Sequence, residues 1–493
     1  MTEAQAGPPF AHGVASGDPV ADGVVLWTRL SPSGAGPLDL RWQVATTPDL
    51  GQVVAEGHTE AVAERDFTVK VDVGGLDPGT TYYYRFESAG RLSPVGRTRT
   101  APTGVTERIR LGVVSCACWS HGFFNAYRHL AERDVDLVLH LGDYIYEDGD
   151  AWEEVDRVHQ PPHRLRTLAD YRSRHAQYKT DLDLQELHRR HPMVALWDDH
   201  DVAGNAWRDG AADHDPDADG DWGRRRAAAI RAYLEWLPVR TPDESRPDRI
   251  HRSFRLGDLV DLTVLDTRLA GRDRPAAEGE RPVAAIGRER SLLGAEQWAW
   301  LRAELRSSSA RWHVLANQVM VAPLRVLDIP GPLRRLVPGL VAGGVGVNSG
   351  QWDGYPEERA RLFALLEERG LQNVVVLTGD LHSSWAGELT LDPKGRTEAV
   401  GVEFVTPSVT SRSFAEEVAP PVPGGRAALR RLVASQNPHF RFFDLEGHGY
   451  VLMDVTPERL RAEFWHVRTV AERVRGERLV ATRVVRHGEA RIT

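Results

Sequence analysis

The sequence predicts an α/β layered core preceded by an all-β module, and three observations carry that expectation. Up to about residue 103, short β-type runs are separated by Gly, Pro and Asp turns. Beyond about residue 106, strand-like and helix-like runs alternate, the pattern of βαβ units. Within that second part, six apolar runs each stop at polar groups. Residues 110–115 end at Cys116, 135–141 at Gly142-Asp143, and 193–197 at Asp198-Asp199-His200-Asp201. Residues 259–265 end at Asp266, 312–316 at Asn317-Gln318, and 373–377 at Thr378-Gly379-Asp380-Leu381-His382. Runs of this kind read as buried parallel strands, and open α/β sheets bind ligands beyond the carboxyl ends of their strands.

The first module is expected over residues 10–103, with strands at 23–28, 40–44 and 67–71. Leu76-Asp77-Pro78-Gly79 then turns into a strand containing Tyr82-Tyr83-Tyr84. That corner is similar to those of immunoglobulin- and fibronectin-like sandwiches. Nothing in the module has a catalytic pattern, so packing or orienting is favoured over sugar or wall binding. Ala101-Pro102-Thr103-Gly104 reads as the linker.

The second domain is expected over 106–493. A helix over 123–133, with Phe124, Tyr127 and Leu130 at helical spacing, joins the run ending at Cys116 to the run ending at Asp143. A right-handed crossover places both residues at one edge of one sheet. Residues 148–190, rich in Arg and His, are expected to be helical excursions with mostly solvated charges. Asp215-x-Asp217-x-Asp219-Gly220 imitates a calcium-loop start, but Arg226 stands where a bidentate Glu is required, which rejects that reading. A helix is expected over 224–237. Residues 323–350, rich in Pro, Gly and apolar side chains, suggest a mobile lid. An amphipathic helix over 357–369 precedes the last apolar run, and 449–455 with 460–465 read as a hairpin in a C-terminal region that starts near 445.

Composition excludes several function classes. The 493-residue chain carries a net charge of −9, so neither a nucleic-acid scaffold nor an anionic membrane surface is an expected partner. An anionic substrate would need a local positive site, which bound metal can supply. Cys116 and Cys118 are the only cysteines and cannot make a disulfide framework. No apolar stretch is long enough to span a bilayer, so stable membrane insertion is not expected. The chain is expected to act as a monomer.

Singly, each strand-end group is a weak signal; together they suggest a metal-dependent hydrolase built round Asp143. Asp143 and Asp380 are hard oxygen donors, His382 offers an imidazole and Cys116 a soft thiolate, each expected at a strand end of one sheet. Mixed O, N and S donors suit a transition metal, and all-oxygen surroundings suit calcium or magnesium. With no second cysteine pair, a structural zinc is not expected.

The order of motifs resembles a known family. His12-Gly13-Val14-Ala15-Ser16-Gly17-Asp18-Pro19, Leu26-Trp27-Thr28-Arg29 and Ser115-Cys116 come first. Leu141-Gly142-Asp143-Tyr144-Ile145-Tyr146-Glu147, Trp197-Asp198-Asp199-His200-Asp201 and Leu265-Asp266-Thr267-Arg268 follow. Thr378-Gly379-Asp380-Leu381-His382-Ser383-Ser384-Trp385 and residues 449–456 close the series. Over nearly the whole chain these resemble the PhoD-type alkaline phosphatases, a branch of the calcineurin-like metallophosphoesterases. The resemblance implies a metallophosphoesterase sandwich core, one ferric ion (Fe3+) and two calcium ions (Ca2+). Carried onto this chain, the iron ligands are Cys116, Asp143, Tyr146 and His382. Asp143 bridges to calcium, and Asp199, Asn205 and Asp380 are further calcium ligands, with a carbonyl oxygen from Asn317 or Gln318. His200 matches the histidine that contacts phosphate.

The sequence departs from the family at three places. Ala117-Cys118 stands where a polar residue usually follows, Asp201 stands where Glu is common, and no twin-arginine leader is present. As written the chain would be cytoplasmic, and exported if a leader has been removed. The implied activity is metal-dependent hydrolysis of phosphate esters. Alternatives are a phosphodiesterase or phospholipase D-like activity on lipid or wall polymers, or a catalytically idle surface-binding protein. Tyr146 lies three residues after Asp143, so the two share a face only if the chain bends into a helical turn after Gly142.

Overall fold

The computed structural model describes residues 8–31, 34, 36–149, 157–240, 245–275, 290–325, 349–391, 398–418 and 423–493. All six apolar runs are strands, at Ile109–Val114, Leu137–His140, Met193–Ala195, Val260–Val264, Trp312–Asn317 and Val374–Thr378. They divide between two sheets rather than joining one, which corrects the single-sheet expectation. The first three lie side by side and parallel in a nine-stranded sheet, and the last three likewise in a seven-stranded sheet.

The two sheets pack face to face, and the reason is written in their alternation. On Val374–Thr378, Val375 and Leu377 join the core between the sheets, where they meet Val113, Val138 and Met453. Val374 and Val376 point the other way, into a second core with Leu301, Leu362 and Leu366 of the covering helices Gly294–Ser307 and Pro356–Glu368. A strand buried on both faces has no polar side, which is why these segments read as unbroken apolar runs. Each such fully buried aliphatic side chain contributes roughly 1.5–3 kcal/mol.

Parallel register aligns the strand ends. His140 stands opposite both Val114 and Ala195, and Asn317 opposite Thr378. A bridge between Ser115 and Ser408, with the Thr406 hydroxyl donating to Val113 O at 3.1 Å, draws the two sheets together just beyond those ends.

The expected helices are present at Asn125–Ala131, Trp222–Trp236 and Pro356–Glu368, and the expected hairpin at Gly449–Val455 and Arg459–Val467. Asp215 caps the short helix Pro216–Asp219 by accepting from Asp217 N, so the calcium-loop imitation is a capped turn. Residues 326–348 of the expected lid lie outside the described residues. Between 157 and 190 there are helices at Leu168–Tyr178 and Leu182–Arg190, the first closed by a Thr167–Asp170 capping box. Their charges are not mostly solvated: Arg157, Arg174, Lys179 and Asp183 are all buried.

From Val14 to Arg99 the described elements are strands and one short 3-10 turn. Val14–Val20, Gly23–Arg29 and Thr68–Val73 continue the nine-stranded sheet through a contact between Gly17 and Met193. Opposite them, Leu38–Ala45, Val53–Ala61 and Thr81–Ser88 form a second layer over a shared core of Leu26, Leu40, Val44, Val69 and Tyr84. Asp18, fully buried, takes two bonds from the Arg252 guanidinium at 2.8 and 2.9 Å and a third from Arg240 N at 2.7 Å. Removing one partner of a buried pair strands the other charge. Asp18→Ala should therefore cost roughly 3–5 kcal/mol of stability, read by chemical denaturation, whereas breaking the exposed Arg41–Glu56 pair should leave the denaturation midpoint essentially where it is.

Candidate metal centre

The donor loops leave their strands by the same device. Cys116, Asp143, Asp380 and His382 have φ of +59°, +51°, +60° and +49°, and Asn205 has +55°. Among the described residues only eleven non-glycine residues have positive φ, so nearly half of that strain is concentrated on the expected donors. Each such residue costs of order 1–3 kcal/mol and persists only where its surroundings over-determine it. A left-handed residue at a strand end turns the following chain across the gap between the sheets. Gly142, at φ +102°, starts the turn, and a Cβ there would lie 2.3 Å from Asp198 Cβ.

This also explains Tyr146. The 143–146 segment is not a helical turn, as the sequence suggested, but a left-handed bend. The bend brings Tyr146 Oη to Asp143 Oδ2, to which it donates at 2.9 Å. Cys116 N and Ala117 N donate to the carbonyls of Gly142 and Asp143 at 3.1 and 3.0 Å, tying two loops together. Asp201 fastens a third: Oδ1 accepts from Tyr144 N and Ile145 N, and Oδ2 from Asp198 N.

Two donor nests result. In the first, donor atoms of Cys116, Asp143 and His382 all lie within 4.8 Å of one another. Tyr146 Oη adds a fourth donor, 3.2 Å from His382 Nε2, and accepts from Ser411 Oγ at 2.6 Å. His382 Nδ1 sits 2.8 Å from Arg412 O, which can only accept, so Nδ1 carries a hydrogen and Nε2 is the ring atom that faces the nest. Burial pushes the Cys116 thiol up to about 12, and burial with Asp143 and Cys116 pushes the Tyr146 phenol well above its ordinary value. Both groups would need a cation to hold them ionised.

In the second nest, Asp198, Asp199 and Asp380 bring carboxylate oxygens within 4.8 Å of one another, and Asp143 also clusters with Asp199 and His200. Arg268 is the cation set among these carboxylates. Its Nε donates to Asp198 Oδ1 and its Nη2 to Asp380 Oδ1, with Asp199 Oδ1 3.3 Å away. Asp380 Oδ2 accepts from Gln351 Nε2. Asp198 Oδ2 and Asp199 Oδ1 are buried without a hydrogen-bond partner. Burial raises Asp198 well above its ordinary value and raises Asp380 as well, despite Arg268. Asp199 is held at about 2, because Arg268 and His200 outweigh its burial. Carboxylates pushed apart in this way cannot all ionise without further positive charge. The orphaned oxygens and the donor chemistry both fit metal ions: mixed S, N and O donors in one nest, oxygen in the other.

His200 lies beside both nests. Its ring stacks on Tyr146 at 4.3 Å between centroids, and its Nδ1 is 2.7 Å from the fully buried Glu147 Oε2. Burial alone would lower its pKa; Glu147, Asp143 and Asp199 together raise it well above the ordinary value.

The remaining expected residues sit as follows. Asn205 is exposed, and its backbone N donates to Asp199 Oδ2 at 2.5 Å. Asn317 and Gln318 spend their side-chain oxygens on Trp352 Nε1 and on Thr267, so they brace the loops. Cys118 is buried with Sγ 3.4 Å from Ser120 Oγ and joins neither nest. Sequence reasoning gave no role to Asp198, Glu147, Arg268, Gln351 or Ser411. The first three stand inside motifs that had been singled out; Gln351 and Ser411 carry no local signal.

A family model for PhoD-like phosphatases matches residues 111–464, and one for the N-terminal domain of PhoD-like phosphatases matches residues 2–102. The chain is 38% identical over 479 residues to alkaline phosphatase D of Bacillus subtilis strain 168, covering 92% of this chain and 77% of that protein. A solved structure described as that of PhoD matches with a TM-score of 0.85 at 35% identity, over 98% of this chain and 92% of the other.

The two thiols should behave differently. Cys116→Ser is expected to lose transition-metal content by elemental analysis while Cys118→Ser keeps it, because only Cys116 faces Asp143 and His382. Loss in both variants would mean that the two cysteines act as one site.

Proposed function

The chain belongs to the PhoD-like phosphatase family and is a metal-dependent phosphoric ester hydrolase; from that premise we propose that its resident metals are one ferric ion and two calcium ions. Cys116, Asp143, Tyr146 and His382 would hold the iron. Asp143, Asp199, Asn205 and Asp380 would hold calcium. The observation that carries this reading is Asp143, whose carboxylate belongs at once to the soft-donor nest and to a cluster with Asp199 and His200.

Hydrolysis at phosphorus needs charge neutralised on the phosphate oxygens, a nucleophile, and a proton for the leaving oxygen. When bound, the metals supply Lewis acidity and a nucleophile at neutral pH. The proton comes from His200. Glu147 Oε2 accepts from Nδ1 and keeps the ring charged, so Nε2–H is the group left to donate. Gly204 N donates to the other Glu147 oxygen at 2.5 Å, and stacking on Tyr146 fixes the ring plane, so the donor is held before substrate arrives. Asp201 holds the Asp143 loop and the Asp198 loop in one frame.

Two coarser features follow in the same reading. Residues 10–103 form an orienting module and 106–493 the catalytic domain, the two riveted by Asp18 and Arg252. One chain brings every donor of both nests, which supports a protein that works as a monomer.

An assay with p-nitrophenyl phosphate and bis-p-nitrophenyl phosphate, with and without chelator, tests the reading. Turnover of the monoester that chelator abolishes is expected. Faster turnover of the diester would move the assignment to a phosphodiesterase, and no turnover of either by metal-loaded protein would overturn it.

A further inference from the structure

Beneath the Asp143 turn lies a buried lysine that neither nest uses. Lys179 is 1% exposed, its Nζ has no hydrogen-bond partner, and among the described residues no carboxylate pairs with it. Burial holds its pKa well below the ordinary lysine value. Instead of an acid it faces two rings: Nζ is 4.4 Å from the Trp27 ring centroid and 5.5 Å from that of Tyr144. Its backbone N–H closes the end of the helix Leu168–Tyr178 on the carbonyls of His175 and Gln177, which fixes where the side chain starts. Such a group is costly to bury, and a methionine of similar length would fill the space without that cost.

The two rings belong to different parts of the chain. Trp27 sits on Gly23–Arg29, with Nε1 donating to Glu235 O at 2.8 Å. Tyr144 follows Asp143 directly; its N donates to Asp201 Oδ1 at 3.0 Å and its hydroxyl lies 2.8 Å from His188 Nε2. The left-handed conformation of Asp143 needs restraint from both sides. Gly142 packed on Asp198 supplies one side, and Tyr144 the other.

We propose that Lys179 is a positioning residue: held between Trp27 and Tyr144, it fixes the Tyr144 ring and through it the Asp143 turn, which links the N-terminal strand carrying Trp27 to the metal centre. The inference rests on Asp143 being the shared ligand.

Lys179→Met in the full metal-loaded chain tests it, with p-nitrophenyl phosphate as probe. The expected result splits activity from stability: kcat falls by about tenfold or more, KM moves less than about twofold, and Tm stays level or rises, since a buried unpaired amine has been removed. Two results overturn the proposal. One is kcat within about twofold of wild type. The other is a kcat loss accompanied by a lowered Tm, which is what a purely structural role gives. If Lys179→Met does not fold, Trp27→Phe decides by kcat and KM alone, since it shrinks the ring that faces Nζ while loss of the Trp27 Nε1–Glu235 O bond lowers Tm by itself. Wild-type turnover that survives chelator would sink the metal reading instead, and the Lys179→Met comparison separates that failure from this one.

Discussion

Too much negative charge is buried in one place. Asp143, Asp198, Asp199 and Asp380 crowd together at the C-terminal ends of two facing sheets, and Arg268 is the guanidinium set among them. Pairing each carboxylate with its own arginine would have settled the charge and closed the site. What is built is a deficit that metal ions can fill. Several features are consequences of holding that deficit still: the left-handed residues that aim the donors, the Asp201 fastening, and the Gln351 and Ser411 side chains that satisfy oxygens at the edges.

The strands were legible because of how they are buried. Segments covered on both faces leave no polar positions, so Leu137–His140 or Val374–Thr378 stand out as apolar runs with their donors just beyond. Which sheet each run joins was not legible, since apolarity says nothing of partners. Cys116, Asp143 and the Asp198–Asp201 stretch come from one sheet and Asp380 and His382 from the other, and only contacts across the gap reveal it. The side chains that meet in the nests were readable by type and place. The turns that aim them were not, because a left-handed aspartate is stabilised by its neighbours in space and not by its neighbours in sequence. Arg268 shows the same limit: a motif marks it, but its partners are 70 and 112 residues away.

Charge was the least readable property. Between 157 and 190 the arginines and histidines suggested a solvated surface, yet several sit in the interior. Arg174 donates to the carbonyls of Tyr146 and Asp148, so it holds the loop that follows Asp143 from beneath. The strand Val14–Val20 escaped notice for a related reason. Gly17, Asp18 and Pro19 are poor strand residues, and Asp18 is tolerable there only because Arg252 reaches it. In both places the cost of a buried charge is offset from a distant part of the chain, and these contacts join the N-terminal strands, the helices and the donor loops into one support.

Everything turns on Asp143 serving two nests at once. Asp143→Asn keeps the shape of the side chain and removes its charge, so the measurement is turnover of p-nitrophenyl phosphate together with elemental metal content. The account predicts that turnover is abolished and that transition-metal and calcium content both fall, with circular dichroism unchanged. Turnover and metal content close to those of the unaltered protein would contradict it.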